Sequence, residues 1–251
     1  MIIVNAHAHL GDTRVFDAYS KEEDLLGAMD ANGIDASIVM PSAGAASPAA
    51  VHDHIADLAR RHPGRIFGQV QMTPHVDHAA FRREAERCVR EMGFVGIKLH
   101  PIGAAVNPLG RDAQNLYETA AALDVPVMVH TGTGVPWSLP SLMIPIARRF
   151  PGLRIILAHA GMQIYTLEAW VAASECPNIY LEPSWCAAMD VRFLIDDLGA
   201  RRIMWGGDLV SNYPVELAKF RSLALRHDQL EQCLGLTAIQ VYRLPVPGAG
   251  P

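Results

Sequence analysis

Short apolar runs alternate with longer segments of mixed polarity along almost the whole chain. The runs at 2–6, 36–40, 66–71, 94–99, 125–129, 154–158, 178–181 and 201–205 have the length and composition of buried strands. Between them, residues 21–31, 48–61, 78–92, 114–123, 139–149, 163–175, 190–198 and 214–227 are patterned as helices. Ser47-Pro48 reads as an N-cap with proline in the first turn, and Asn32-Gly33 and Gly93 read as helix stops. Strands alternating with helices make parallel β-α-β units, and eight of them predict a closed α/β barrel, the (β/α)8 TIM barrel. The alternative is a doubly wound open sheet. It calls for a glycine-rich phosphate loop after the first strand, and His7-Ala8-His9-Leu10-Gly11-Asp12 is not one. No repeat or linker divides residues 1–243, which are expected to form a single domain; residues 244–251, with three prolines, read as a tail.

Polar residues of metal-ligand type recur where the apolar runs end. The first run leads into His7 and His9, the fourth ends in Lys98-Leu99-His100, the fifth in His130, the sixth in His159 and the eighth in Gly206-Gly207-Asp208. Alternate side chains of a strand share a face, so His7 and His9 project together and can share a metal. The ends of parallel barrel strands converge on one mouth, where residues two hundred positions apart become neighbours. Each histidine alone is open to the blander reading of a buried core residue. Five strand ends with the same habit point to a site. Lys98 and His100 share a face at the barrel rim, opposite Ile97 and Leu99. His52, His54, His62 and His227 fall in or at the ends of helices, and His75 and His78 in a loop and a helix start; solvated or capping roles are expected for these.

Composition narrows the partners. The chain has 251 residues, half of them apolar, enough for a substantial core. A net charge of -5 without a Lys/Arg block disfavours nucleic acid. Cys88, Cys176, Cys186 and Cys233 form no CxxC pair, the first strand begins at once without a signal-like segment, and no apolar stretch is long enough to span a membrane. A cytoplasmic protein with reduced thiols and no membrane association is expected.

The blocks Asn5-Ala6-His7-Ala8-His9-Leu10-Gly11, Gly96-Ile97-Lys98-Leu99-His100-Pro101, Val129-His130-Thr131-Gly132, Leu157-Ala158-His159-Ala160-Gly161 and Trp205-Gly206-Gly207-Asp208 together resemble the amidohydrolase superfamily. The resemblance is strongest to the amidohydrolase-related branch that includes aminocarboxymuconate-semialdehyde decarboxylase. It implies a distorted barrel of amidohydrolase type with one divalent metal ion, most often Zn2+, at the mouth. It assigns His7, His9, His130 and Asp208 as metal ligands and places His159 beside the metal-bound water. Three imidazoles and a carboxylate suit zinc, which acidifies a bound water toward a pKa of about 7. Asp208 would then carry the proton, and His159 would orient the water or stabilise the oxyanion. Lys98 has two implied roles: carboxylated, it bridges two metals in binuclear relatives; in a one-metal site it pairs with a substrate carboxylate, with His100 beside it. The chain departs from the family pattern in two places. Asn5 stands where an acidic residue is frequent, which implies looser support of that strand end. The segment from Gly206 to Pro214 carries a short insertion between Asp208 and Tyr213-Pro214.

Arg14, Arg111, Trp137, Trp185, Ser211, Asn212 and Tyr213 lie after barrel strands as further pocket residues, with the tryptophans as flat walls and the arginines as carboxylate partners. The expected function is a metal-dependent hydrolase of a small, anionic, carboxylated amide, ester or lactone. The alternatives are a non-oxidative decarboxylase on the same metal centre and a catalytically inactive binding subunit. A homodimer is compatible with each.

Overall fold

The computed structural model describes residues 1–75, 77–134 and 136–248. Its strands are β1 (Val4–Thr13), β2 (Ala18–Ser20), β3 (Ala36–Pro41), β4 (Ile66–Gln71), β5 (Gly96–Leu99), β6 (Val127–His130), β7 (Ile155–Ala158) and β8 (Ile179–Glu182), in the sheet order β2-β1-β3-β4-β5-β6-β7-β8. All neighbours pair in parallel except the short hairpin arm β2, which is antiparallel to the far end of β1. The intervening helices are α1 (Glu22–Asn32), α2 (Pro48–Arg61), α3 (His78–Arg90), α4 (Arg111–Leu123), α5 (Met143–Arg149), α6 (Thr166–Glu175), α7 (Ala188–Leu198) and α8 (Tyr213–Ser222), followed by α9 (His227–Glu231) and α10 (Thr237–Tyr242). This is the expected (β/α)8 barrel with one distortion.

The distortion is the eighth strand. Expected over 201–205, it is instead a single turn at Ala200–Arg202 followed by two lone bridges, Leu181↔Ile203 and Ala8↔Asp208. A strand needs its backbone groups directed at two neighbours, but Trp205 N–H turns away to the Cys233 carbonyl. Closure survives through separate bonds. Met204 N–H reaches Leu181 O at 2.9 Å, Ala6 N–H reaches Trp205 O at 3.1 Å and Asp208 N–H reaches His7 O at 2.8 Å.

Two buried layers follow from strand alternation. Val4, Ala6, Ile38, Met40, Met128, Ile156 and Met204 fill the barrel interior, and α10 closes the floor with Ala238, Val241 and Tyr242. Ala8, Leu10, Val39, Ile97, Leu99, Val129 and Leu157 face outward beneath the helices. Strand β1 therefore changes face along its length: Val4 and Ala6 look inward, Ala8 and Leu10 outward. The cause is a bulge. The register runs Asn5↔Ser37 and then Ala8↔Val39, so β1 spends one residue more than β3. Of the segment 244–251, read as a tail, Leu244 and Val246 are buried with the interior cluster, and Ala249, Gly250 and Pro251 lie outside the described residues.

Candidate metal centre and active-site cavity

The bulge decides where the histidines go. Without the extra residue, His7 and His9 would continue on the outward side under the helices; with it, both project into the mouth of the barrel. Asn5 holds the bulge in place, its Oδ1 accepting from His7 N–H at 3.1 Å and from Gly207 N–H at 2.9 Å. The expectation that Asn5 loosens this strand end is therefore corrected, since its amide oxygen ties β1 to the irregular eighth strand. Gly206 and Gly207 are required by close packing: a Cβ at Gly207 would lie 2.2 Å from the Tyr213 ring, and one at Gly206 2.7 Å from the Glu182 carboxylate.

A cavity of about 380 Å3 opens at this mouth and is lined by His7, His9, Lys98, His100, His130, His159 and Asp208. Seven residues chosen from sequence thus meet in one place. Phe16, Met162, Trp185 and Leu209 supply its apolar rim. Of the other expected pocket residues, Arg14, Arg111, Trp137 and Ser211 do not line it, and Arg14, Arg111 and Trp137 are exposed. Asn212 is buried as a brace, donating to Gly207 O and Glu216, and Tyr213 is core against Trp205 and Gly207. His52, expected to be solvated or capping, is fully buried between Glu84 and the Gln71 backbone N–H.

His7, His9 and Asp208 form the tightest group. His7 Nδ1 lies 2.8 Å from Glu182 Oε2, and His9 Nδ1 lies 3.1 Å from the Pro41 carbonyl oxygen. A carboxylate and a carbonyl only accept, so both rings carry hydrogen on Nδ1 and present a lone pair from Nε2. Those two Nε2 atoms face each other at 3.1 Å, with Asp208 Oδ1 at 3.5 Å from the first and 3.2 Å from the second. Three electron-rich atoms this close repel one another unless a cation lies among them. Bonds of about 2.0–2.2 Å to one ion separate its donors by about 3.0–3.5 Å, so the residues fit a divalent metal. His130 is not part of this triangle. Its ring stacks on His100 with centroids 4.0 Å apart and planes 9° from parallel, and stands 4.9 Å from the His159 ring.

Charge is concentrated and dry. Lys98 Nζ is buried 2.9 Å from His7 Nε2, and burial lowers its pKa to about 8 against the opposing pull of Asp208 and Glu182. Burial, aided by Lys98, holds His7 well below the usual histidine range and brings His130 to about 4. Burial also keeps His159 neutral. Burial pushes the Asp208 carboxyl upward, but the imidazoles of His7 and His9 beside it outweigh this and hold it well below the usual range. The second Asp208 oxygen accepts from the Trp185 indole N–H at 2.8 Å. Trp185 is itself fixed by its backbone N–H on Glu216 Oε1 at 2.9 Å. His159, Trp185 and Asp208 all have left-handed backbone, with φ of 66°, 66° and 62°, a concentration of strain typical of a functional mouth.

Two residues in the site were not singled out in the sequence. Glu182 is wholly buried beside His7, and Ser184 links it to His159. The signal was a lone acid in the apolar run Ile179-Tyr180-Leu181-Glu182, masked because that strand was expected to stop at 181.

Known proteins give the same family. The chain is 27% identical over 175 residues to a gamma-resorcylate decarboxylase of Polaromonas sp. (strain JS666 / ATCC BAA-500), and the match covers 53% of this chain and 53% of that protein. The fold is shared with 2,6-dihydroxybenzoate decarboxylase from Rhizobium, with a TM-score of 0.76 at 17% identity over 97% of this chain and 99% of that one. It is shared equally with 5-carboxyvanillate decarboxylase from Novosphingobium aromaticivorans, solved with manganese and 4-hydroxy-3-methoxy-5-nitrobenzoic acid. There the TM-score is 0.75 at 16% identity, covering 97% and 96% of the two chains. The Amidohydrolase family model matches residues 5–244, and the chain belongs to that family.

Proposed function

We propose that this protein is a divalent-metal-dependent, non-oxidative decarboxylase of a small hydroxylated aromatic carboxylate. The observation that carries the reading is the pairing, in one cavity, of the His7–His9–Asp208 triangle with a single buried ammonium, Lys98, under an apolar rim. Among the described residues that line the cavity, Lys98 is the only Lys or Arg, which suits a substrate with one carboxylate on a flat, largely apolar body. The decarboxylase names of the relatives support this over the hydrolase expected from sequence.

His7, His9 and Asp208 would hold the ion, with His130, at the end of β6 across the mouth, as a further ligand. Zinc and manganese both suit imidazole and carboxylate donors. When bound, the ion supplies Lewis acidity that holds the substrate's oxygens and stabilises negative charge on them. The chain's own groups do the rest. Lys98 pairs with the substrate carboxylate, while Trp185 and Phe16 flank the ring. Asp208, steadied by the Trp185 indole, takes the proton of the substrate's hydroxyl and passes it to the ring carbon that bears the carboxylate, leaving the hydroxyl oxygen as a ring ketone. The bond from that carbon to the carboxylate then breaks, its electron pair restores the aromatic ring, and carbon dioxide leaves. The apolar rim excludes water, so the proton reaches carbon from a defined donor.

The test is product analysis with carboxyl-13C-labelled hydroxybenzoates on protein loaded with zinc or manganese, beside a panel of carboxylated lactones, esters and amides. Labelled carbon dioxide and the matching phenol are expected, with about one ion per chain by elemental analysis. Turnover of the lactone, ester or amide panel alone would return the site to the hydrolase reading.

A further inference from the structure

We infer that Glu182 is the positioning residue that sets the proton-bearing nitrogen of two imidazoles at once, His7 directly and His159 through Ser184. The inference rests on the metal-dependent reading only for what these rings face. Its basis is the hydrogen-bond bookkeeping of one buried carboxylate.

Glu182 is wholly buried and engages four hydrogen-bond donors. Its Oε2 lies 2.8 Å from His7 Nδ1, 3.1 Å from Ser184 Oγ and 3.4 Å from the His159 backbone N–H; its Oε1 lies 2.8 Å from Ser184 N–H. Ser184 has a single hydroxyl hydrogen. The carboxylate oxygen at 3.1 Å can only accept it, because the opposite arrangement would set two bare oxygens against each other. With its hydrogen committed, Ser184 Oγ has only lone pairs left for its other neighbour, His159 Nδ1, at 2.7 Å. That nitrogen must therefore carry the hydrogen. His159 then presents Nε2 to the cavity as a bare lone pair, as His7 does.

This changes the work His159 can do. In the neutral ring Nε2 cannot donate, so His159 cannot stabilise an oxyanion with a hydrogen bond, the role the sequence reading allowed. It accepts instead. A substrate group facing it is a donor, and a hydroxyl beside the carboxylate is the group that the proposed substrate class offers. The same argument shows why the close approach of His7, His159 and Glu182 is no second metal site: the carboxylate is occupied by hydrogen-bond donors and the nearest imidazole nitrogens are protonated.

The experiment is long-range 1H–15N NMR of histidine-labelled protein loaded with zinc, which is diamagnetic, with the His159 signals assigned by their loss in His159→Gln. His159 is expected as the Nδ1–H form in the wild type and as a mixture of forms in Ser184→Ala. Zinc affinity, read by competition with a chromophoric chelator, is expected to fall about 10–100-fold in Glu182→Gln, the usual effect of removing a carboxylate behind a ligating imidazole. In Ser184→Ala it should stay within about twofold, since His7 keeps its partner. An Nε2–H form of His159 in the wild type, an unchanged form in Ser184→Ala, or equal loss of zinc affinity in both variants would each overturn the inference. Neither readout needs a substrate, so the inference stands or falls independently of decarboxylation. If Glu182→Gln does not fold, Ser184→Ala alone decides.

Discussion

His7→Ala or His9→Ala removes one of three donor atoms from a triangle in which each lies within about 3.5 Å of the others, so metal content and activity should fall together. His159→Ala leaves that triangle whole. Turnover should drop by about a hundredfold while the ion stays bound, the range for losing one positioned proton-handling group. Elemental analysis beside turnover on the same preparations checks both; loss of metal from His159→Ala would make it a ligand. These residues were legible because each ends an apolar run, and chain order alone placed them at one mouth. Glu182 and Ser184 were not, because a glutamate's use as a hydrogen-bond hub depends on which side chains the eighth-strand seam brings near it. Arg14 and Arg111 were overread for the converse reason: following a strand puts a residue near the mouth without turning its side chain inward.

At the level of elements, six barrel strands were recoverable within a few residues, since buried parallel strands leave continuous apolar runs; β1, expected over 2–6, runs on to Thr13. The bulge and the broken eighth strand were not, because both are departures from regular pairing that apolar composition does not encode. Alternation counted from Val4 would have put His7 on the face of the outer layer. Asn5 is the residue that makes these departures stable, so Asn5→Ala should strand two buried backbone N–H groups, those of His7 and Gly207. The expected loss is roughly 1–3 kcal/mol for each in chemical denaturation. Asn5→Asp keeps an acceptor oxygen and should lose far less. Equal stability of the alanine variant and the wild type would show that the bulge does not depend on this side chain.

Across the whole molecule, acid should be the sensitive direction. Glu84 joins α3 to α2, where burial pushes its carboxyl upward but His52 and Arg87 outweigh it and hold it at about 2, below the ordinary 4.5. A carboxyl depressed on folding adds stability that is complete above its unfolded value and disappears as pH falls through its folded one. Melting temperature should therefore decline between pH 4.5 and about 2, and Glu84→Gln should flatten that decline while lowering stability near neutrality. Parallel curves for the two proteins would remove Glu84 from the acid response.

The seam of the barrel has a consequence of another kind. Six of the eight junctions around the ring are strand ladders, one of them carrying the bulge of β1; the two that flank the Ile203–Asp208 stretch rest on isolated bridges and single backbone bonds. On one side of that stretch stand His7 and His9, and at its end stands Asp208. An ion gripped by all three is a clasp on the weakest join of the cylinder, closing a chain loop comparable to the 202 positions between Asn5 and Gly207. Long loops are those whose closure constrains the unfolded chain most. On the proposed function, the same three atoms that ready the chemistry would also staple the architecture, so that removing the ion is expected to loosen the seam of the barrel before its strand ladders.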